Sequence, residues 1–138
     1  MNSFIFNRLI ELWVKGQIDF DTDTIKVLLT TDAYVPNKDT HDFRNDVTNE
    51  ITGTGYTAGG ITVSVTVTRD DANDRVDITF ASVIWPTATF TARKAVYYKS
   101  RGGASSADEL ILVKDFGSNV SKVAQTFALN SLTFRIQN

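Results

Sequence analysis

Apolar side chains near the start of the chain recur every three or four positions, which is the period of an α-helix. The recurring residues are Phe6, Leu9, Ile10 and Trp13. Asn2 or Ser3 can act as the N-cap and Gly16 as the C-terminal stop, so the sequence predicts a helix within residues 1–16. Its apolar arc of about 200° is wider than one core requires. Two interpretations follow: the helix is buried against its own sheet, or part of the arc packs on another subunit.

Beyond residue 17 the pattern changes to that of β-strands. Residues 61–68 alternate between Ile or Val and hydroxylated side chains, and alternation resumes at 76–80 after the acidic turn 70–74, which predicts a β-hairpin. Pro86 ends one short apolar stretch. The predicted strands cover 24–31, 61–68, 76–80, 83–85, 90–99, 110–113, 123–129 and 132–136. This series predicts a mainly β fold, an antiparallel β-sandwich or jelly roll with one N-terminal amphipathic helix.

The composition is that of a globular domain. The 138 residues fit one domain, 1–138, and 42% hydrophobic residues, 22% charged residues and a net charge of −2 exclude a disordered or nucleic-acid-coating protein. The basic and aromatic stretch 90–101 is interpreted as cross-strand packing instead of single-strand binding. The chain has no cysteine, which removes disulfides, thiolate catalysis and sulfur-ligated metals.

The first residues show no basic leader and no small-residue cleavage site, and no apolar run approaches the roughly 20 residues that cross a bilayer. We therefore expect a product that stays in the cytoplasm where it is made, with no membrane partner and no direct nucleic-acid partner.

Residues 32–60 form a segment that is too long and too irregular for an ordinary connection. Large apolar residues recur through it at short intervals: Tyr34, Phe43, Val47, Ile51 and Tyr56. Pro36 and four glycines fix or free the backbone between these anchors. We predict a long ordered loop whose large side chains are held by a core made elsewhere in the chain.

Several stretches resemble a family of small virion proteins from tailed bacteriophages, over about residues 24–117. They are KVLLT (26–30), YVP (34–36), THDF (40–43), DV (46–47), GTGYTAGG (53–60) and TARKAVYY (91–98). Many fixed residue types fall here at fixed spacings, which makes the middle of the motif fairly specific.

This resemblance implies a structural protein without catalysis, most simply a capsid decoration or cement protein on the exterior of the virion. Its implied partners are the major capsid protein and further copies of the chain, as a dimer or trimer. A tail or fibre component that binds a host surface is the alternative.

Large aromatic side chains are the natural candidates for contacting such partners. On the predicted helix these are Phe4 and Trp13, and in the loop they are Tyr34, Phe43 and Tyr56. Each of them can also belong to the core of the chain. The loop as a whole is the stronger candidate.

No motif predicts catalysis, a cofactor or a metal site. His41 is the only histidine, and Thr40, His41 and Asp42 are expected to stiffen their loop by bonding nearby backbone groups. The glycines of 53–60 miss the dinucleotide-binding spacing and are interpreted as tight turns around Tyr56. The acidic stretches 19–23 and 70–74 lack the glycine and terminal glutamate of an EF-hand and are interpreted as solvated.

Overall fold

The protein is described here by a computed structural model that covers residues 3–138. Within these residues there is one α-helix, α1 (Asn7–Val14), and two short 3-10 helices, Arg44–Asp46 and Ser105–Ala107. The strands are β1 (Phe4–Ile5), β2 (Ile25–Thr30), β3 (Ile61–Val63), β4 (Val65–Asp70), β5 (Arg75–Phe80), β6 (Val83–Lys99), β7 (Leu110–Leu129) and β8 (Leu132–Gln137).

The strands form two antiparallel sheets. The larger has the order β1-β7-β6-β2-β3, and the smaller has the order β4-β5-β8. The predicted mainly β class is therefore confirmed. The predicted hairpin is also present, since β4 pairs with β5 from Val65↔Phe80 to Asp70↔Arg75.

One hydrophobic cluster draws its side chains from both sheets and from α1. Phe80 of the small sheet packs edge-on against Tyr97 of the large sheet, with ring centroids 4.9 Å apart. Leu9 of α1 is fully buried in the same cluster. Burial of this kind is the main favourable term in folding, so the two sheets and the helix are held together by a shared core.

The helix is shorter than the sequence predicts. Phe4 and Ile5 are not helical, because they pair with Val113 and Leu112 and extend the large sheet by one short strand. The Ser3 hydroxyl accepts a hydrogen bond from the Asp115 backbone N–H instead of capping a helix, and the proposed cap Asn2 lies outside the described residues. The predicted N-terminal helix is present, but its predicted start is wrong, because the pairing of Phe4 and Ile5 with β7 overrides the local apolar period.

Three predicted strand boundaries are also wrong. Stretches 83–85 and 90–99 form one strand, β6, and stretches 110–113 and 123–129 form one strand, β7. Pro86 is tolerated because the ladder is irregular there, with a register shift between Trp85 and Ala88. Conversely, stretch 61–68 is divided at Ser64 into β3 and β4, which belong to different sheets. No helix within residues 3–138 is long and apolar enough to span a membrane.

Candidate interaction surface

Near the start of the loop 32–60, the side chain of Tyr34 is buried in a second hydrophobic cluster with Leu28, Val96 and Tyr98. The Tyr34 hydroxyl lies 3.0 Å from Nδ1 of His41, and the two rings are stacked. Burial raises the pKa of Tyr34 well above its ordinary value. Tyr34 therefore anchors the loop to the core.

A second anchor is the hydroxyl of Tyr56, which joins the loop to β2. It donates to Oε1 of Glu50 at 2.7 Å and accepts from the Leu29 backbone N–H at 3.0 Å. Oε1 of Glu50 also accepts from the Gly59 N–H at 2.6 Å, while the Tyr98 hydroxyl donates to the Gly59 carbonyl at 2.6 Å. Burial, followed by the neighbouring Glu50, raises the pKa of Tyr56. The hydroxyls of Tyr56 and Tyr98 and both backbone groups of Gly59 are thus bound within the chain.

The middle of the loop is fixed by two carboxylates. Oδ2 of Asp46 accepts from the backbone N–H groups of Asp42 and Phe43, at 2.8 and 3.0 Å. The Arg44 Nε donates to the buried Asp108 at 2.9 Å, next to the second 3-10 helix. Predicted stiffening by side chains is confirmed for His41, whose Nδ1 accepts from the Asn37 N–H at 3.4 Å. The main acceptors are nevertheless Asn37 and Asp46, which the sequence analysis did not select.

Close backbone approach explains two of the glycines. A Cβ on Gly60, at φ +75°, would lie 1.7 Å from the Val27 carbonyl oxygen. A Cβ on Gly55, at φ +87°, would lie 2.3 Å from the Thr87 carbonyl oxygen. The glycine-rich segment therefore packs directly on β2 and β6, which agrees with its interpretation as tight turns.

Where the loop meets α1 the two form a continuous surface. The Asn7 N–H donates to the Lys38 carbonyl at 3.1 Å, and the Asn7 side chain donates to Asp39 at 2.7 Å. The Arg8 guanidinium lies 4.8 Å from the centre of the half-buried Phe43 ring. We call α1 together with residues 37–43 the helix–loop surface.

The apolar arc of α1 is divided between core and solvent. Leu9 and Leu12 are buried, whereas Ile10 is 51% exposed and Val14 is 83% exposed. Asn7, Ile10 and Val14 follow the helical period and share one side of α1. The interpretation that the helix is buried against its own sheet therefore holds for Leu9 and Leu12 but not for Ile10 and Val14, which form an exposed apolar stripe on the same side of α1 as Asn7.

A second apolar surface lies between the edges of the two sheets. It is a groove of about 210 Å³, and we call it the edge groove. Its apolar lining comes from β1, β7 and β8: Phe4, Ile5, Leu112, Val113, Leu132 and Phe134. Sequence periodicity indicates that Leu132 and Phe134 share a strand face, but it does not show that β8 is an edge strand.

The five predicted contact residues fall into two groups. Tyr34 and Tyr56 serve the packing and hydrogen bonding of this chain, as described above. Phe4 lines the edge groove, Phe43 lies on the helix–loop surface, and Trp13 is half-buried with its ring 5.6 Å from that of Phe134. A contact role stays a prediction for these last three residues.

Searches against protein-family models, curated proteins and solved structures find no match for this chain. No family, relative or structural neighbour therefore bears on the function of these two surfaces.

The acidic stretch 19–23, which the sequence offers as a possible cation site, makes backbone hydrogen bonds and an ion pair. The Asp23 carboxylate accepts from the Asp19 N–H at 2.8 Å and pairs with Lys99 at 3.0 Å. Burial opposes this charge, but the Asp19 N–H and Lys99 together hold the pKa of Asp23 below its ordinary value. Among residues 3–138, no group of three or more His, Cys, Asp or Glu side chains is placed to hold a metal ion.

Proposed function

We propose that this protein is a structural component of a tailed-phage virion, a decoration or cement protein on the capsid exterior. It binds the major capsid protein across subunit boundaries and stabilises the DNA-filled head without catalysis. Two antiparallel sheets around a shared core would then form a sandwich of the jelly-roll type, a scaffold that presents surfaces at its edges.

The observation that carries the proposal is the exposed apolar stripe of α1 beside a loop that is rigidly held. Ile10 and Val14 offer apolar area to a partner, and the anchored loop next to them loses little conformational entropy on binding. The resemblance of residues 24–117 to phage virion proteins names the class of partner. A stable interface buries about 800 Å² on each side, so the loop would have to contribute together with the helix.

Many copies on one shell act together, because each weak contact becomes stronger when neighbouring contacts hold the partners in place. The effect on the head is mechanical. Each bound copy adds contacts that must break before the shell opens under the pressure of the packaged DNA.

The test is to add purified protein to heads that lack it. We expect rebinding and a higher temperature of DNA release. The double variant Ile10→Lys/Val14→Lys should bind at least about tenfold more weakly, since charge in an apolar contact costs more than 1.4 kcal/mol. Val123→Lys is the matched control, because Val123 is also an exposed valine but lies on β7, and it should bind like the wild type. Absence of both rebinding and thermal protection would overturn the proposal.

A tail or fibre component is the second candidate, and it is favoured by the hydroxyl-rich outer face of the small sheet. Thr66, Thr79 and Thr133 lie opposite one another across its three strands, with 2.8 Å between the hydroxyls of Thr79 and Thr133. Rows of hydroxyl groups can hydrogen-bond the hydroxyls of a host carbohydrate. Antibody labelling of intact virions separates the two candidates, since the label would lie at the tail in one case and over the head in the other.

A further inference from the structure

Strand β8 is the edge of the small sheet. It pairs with β5 on one side, and no described strand pairs with its other side. The edge groove opens next to it, lined by Leu132 and Phe134 of β8 and by Phe4 and Ile5 of the opposite sheet edge. An unprotected edge of this kind is a template for pairing with another strand.

The hydrogen bonds of the small sheet determine which backbone groups of β8 are free. The Asn138 N–H donates to the Asp74 carbonyl at 3.0 Å, so even-numbered residues of β8 direct their backbone groups toward β5. The Ala81 N–H donates to the Ser64 carbonyl at 2.8 Å. The odd-numbered residues of β5 therefore direct their backbone groups toward β4, which leaves the even-numbered ones to pair with β8 and agrees with this pattern. Thr133, Arg135 and Gln137 therefore present their N–H and C=O groups outward.

We infer that this edge pairs antiparallel with β8 of a second copy of the chain, with Phe134 at the two-fold axis, and that the edge groove receives the apolar side chains of the second copy. The inference gives the self-association expected under the proposed function a definite surface, and it can be tested without any virion component.

Charge and length select this register. Outward residues must face outward residues, so the three central two-fold registers place Thr133, Phe134 or Arg135 on the axis. With Arg135 on the axis, two guanidinium groups lie directly opposite, which is destabilising. With Thr133 on the axis, only residues 132–134 of β8 are paired. With Phe134 on the axis, residues 132–136 are paired and Arg135 faces Thr133 of the second copy.

The same register is complementary on the apolar face. Leu132 faces Ile136 of the second copy, and the two Phe134 rings meet as a close, non-hydrogen-bonded pair. Ile136 is 50% exposed in the single chain and would be covered. The Arg135 charge is balanced within its own chain by Asp77 at 3.0 Å, so pairing brings no unpaired charge into the interface.

The opposite edge of the small sheet is protected against such pairing. In β4 the face that carries Val65 and Val67 ends in Arg69, which lies opposite Val76 of β5 and whose mostly exposed side chain pairs with Asp71 at 3.0 Å. A charged side chain on an edge strand is one of the devices that blunt it, and the corresponding face of β8 carries only Leu132, Phe134 and Ile136. This asymmetry favours β8 over β4 as the strand that associates.

The experiment measures mass in solution by chromatography with light scattering. We expect the wild type to form a dimer of twice the 15.3 kDa chain mass, Ile136→Lys to be a monomer, and Val67→Lys to stay a dimer. Val67 is a matched control because it is 42% exposed, on the same face of the same sheet, at the other edge. A monomeric wild type, a trimer, or a dimer broken by Val67→Lys and not by Ile136→Lys would each overturn the inference.

A second measurement checks the register. The chain contains no cysteine, so Phe134→Cys introduces one thiol, which should meet its own copy at the axis within disulfide distance. Mild oxidation should give a covalent dimer for Phe134→Cys and none for Val67→Cys. Equal cross-linking of both variants would contradict the register. If Ile136→Lys were monomeric and still bound heads, the proposed function would stand apart from the dimer.

Discussion

The loop 32–60 and the outer edge of β8 both have polar groups that no neighbouring strand of the sheets binds, but these groups find different partners. In the loop, Tyr56, Glu50 and Asp46 bind the backbone groups of their own chain. At the β8 edge the outward groups of Thr133 and Arg135 have no strand beside them among the described residues. A loop that is held at several points by its own chain is a rigid platform, whereas an edge with free groups and an apolar groove can gain a strand.

The largest expected effect tests whether the loop 32–60 is rigidly packed on β2. Gly60→Ala should destabilise the protein strongly, because the new Cβ would lie 1.7 Å from the Val27 carbonyl oxygen. Gly102→Ala is the matched control, since its φ of +77° resembles the +75° of Gly60 but its Cβ meets nothing within 4 Å. The control should cost about 1–2 kcal/mol for the left-handed backbone alone.

Urea unfolding of both variants measures the difference, which we expect to exceed about 3 kcal/mol, the range of severe core lesions. A Gly60→Ala protein that does not fold, detected by circular dichroism, is the extreme form of the same result. Similar costs for the two variants would show that the loop can move away from β2, and the platform would then not be rigid.

A smaller change in stability distinguishes a buried tyrosine whose hydroxyl is hydrogen-bonded from one whose hydroxyl is not. Tyr56→Phe removes the group that binds the Leu29 N–H and Glu50, so it should cost about 1–3 kcal/mol by leaving buried polar groups unpaired. In Tyr97 the buried hydroxyl has no hydrogen-bond partner among the described residues, and burial raises its pKa to about 12. Tyr97→Phe should therefore be neutral or slightly stabilising.

Thermal or urea unfolding of the two variants gives the comparison directly. If Tyr56→Phe cost no more than Tyr97→Phe, the hydrogen bonds of the Tyr56 hydroxyl would add nothing to the stability, because both variants keep the aromatic ring. The loop would then be held by apolar burial, and the contrast with the β8 edge would be weaker.

The sequence pattern predicted those strands whose apolar and polar alternation matches the faces that they turn to the core and to solvent. Strands β2 and β8 and the β4–β5 hairpin were found because alternation and turn residues coincide with the observed ladder. Phe4 and Ile5 were misassigned because their pairing partners lie more than 100 residues away, in β7. The break at Ser64 was missed because alternation continues unchanged while the chain passes from one sheet to the other.

The candidate surfaces were predicted only in part. Phe4 was selected from its size and does line the edge groove, but Leu132 and Phe134 were seen only as strand residues. Whether a strand is an edge depends on sheet order, which no local period records. Tyr34 and Tyr56 were selected for the same reason as Phe4, and their burial comes from long-range packing.

The smallest expected effect concerns the ion pair beside the β1 edge and is visible as a pH dependence. Burial alone would raise the pKa of Asp115, but the Arg93 guanidinium at 2.7 Å and the Gly117 N–H at 2.8 Å outweigh it and hold the pKa below its ordinary value. A lowered folded-state pKa gives stability that is present above the ordinary value near 3.9 and is lost as the pH falls through the folded value.

Asp115→Asn should therefore cost about 1–2 kcal/mol near neutral pH, because a charge-assisted bond to a partly exposed guanidinium is lost. The cost should shrink as the pH falls below about 4, because the Asp115 carboxylate of the unfolded chain takes up its proton there before that of the folded chain does. Asp32→Asn is the control, since Asp32 is mostly exposed and lies 3.5 Å from the same Arg93, and it should show little change at any pH. A difference between Asp115→Asn and wild type that is constant from pH 7 to about pH 2 would show that the Asp115 carboxylate acts by its shape and not by its charge.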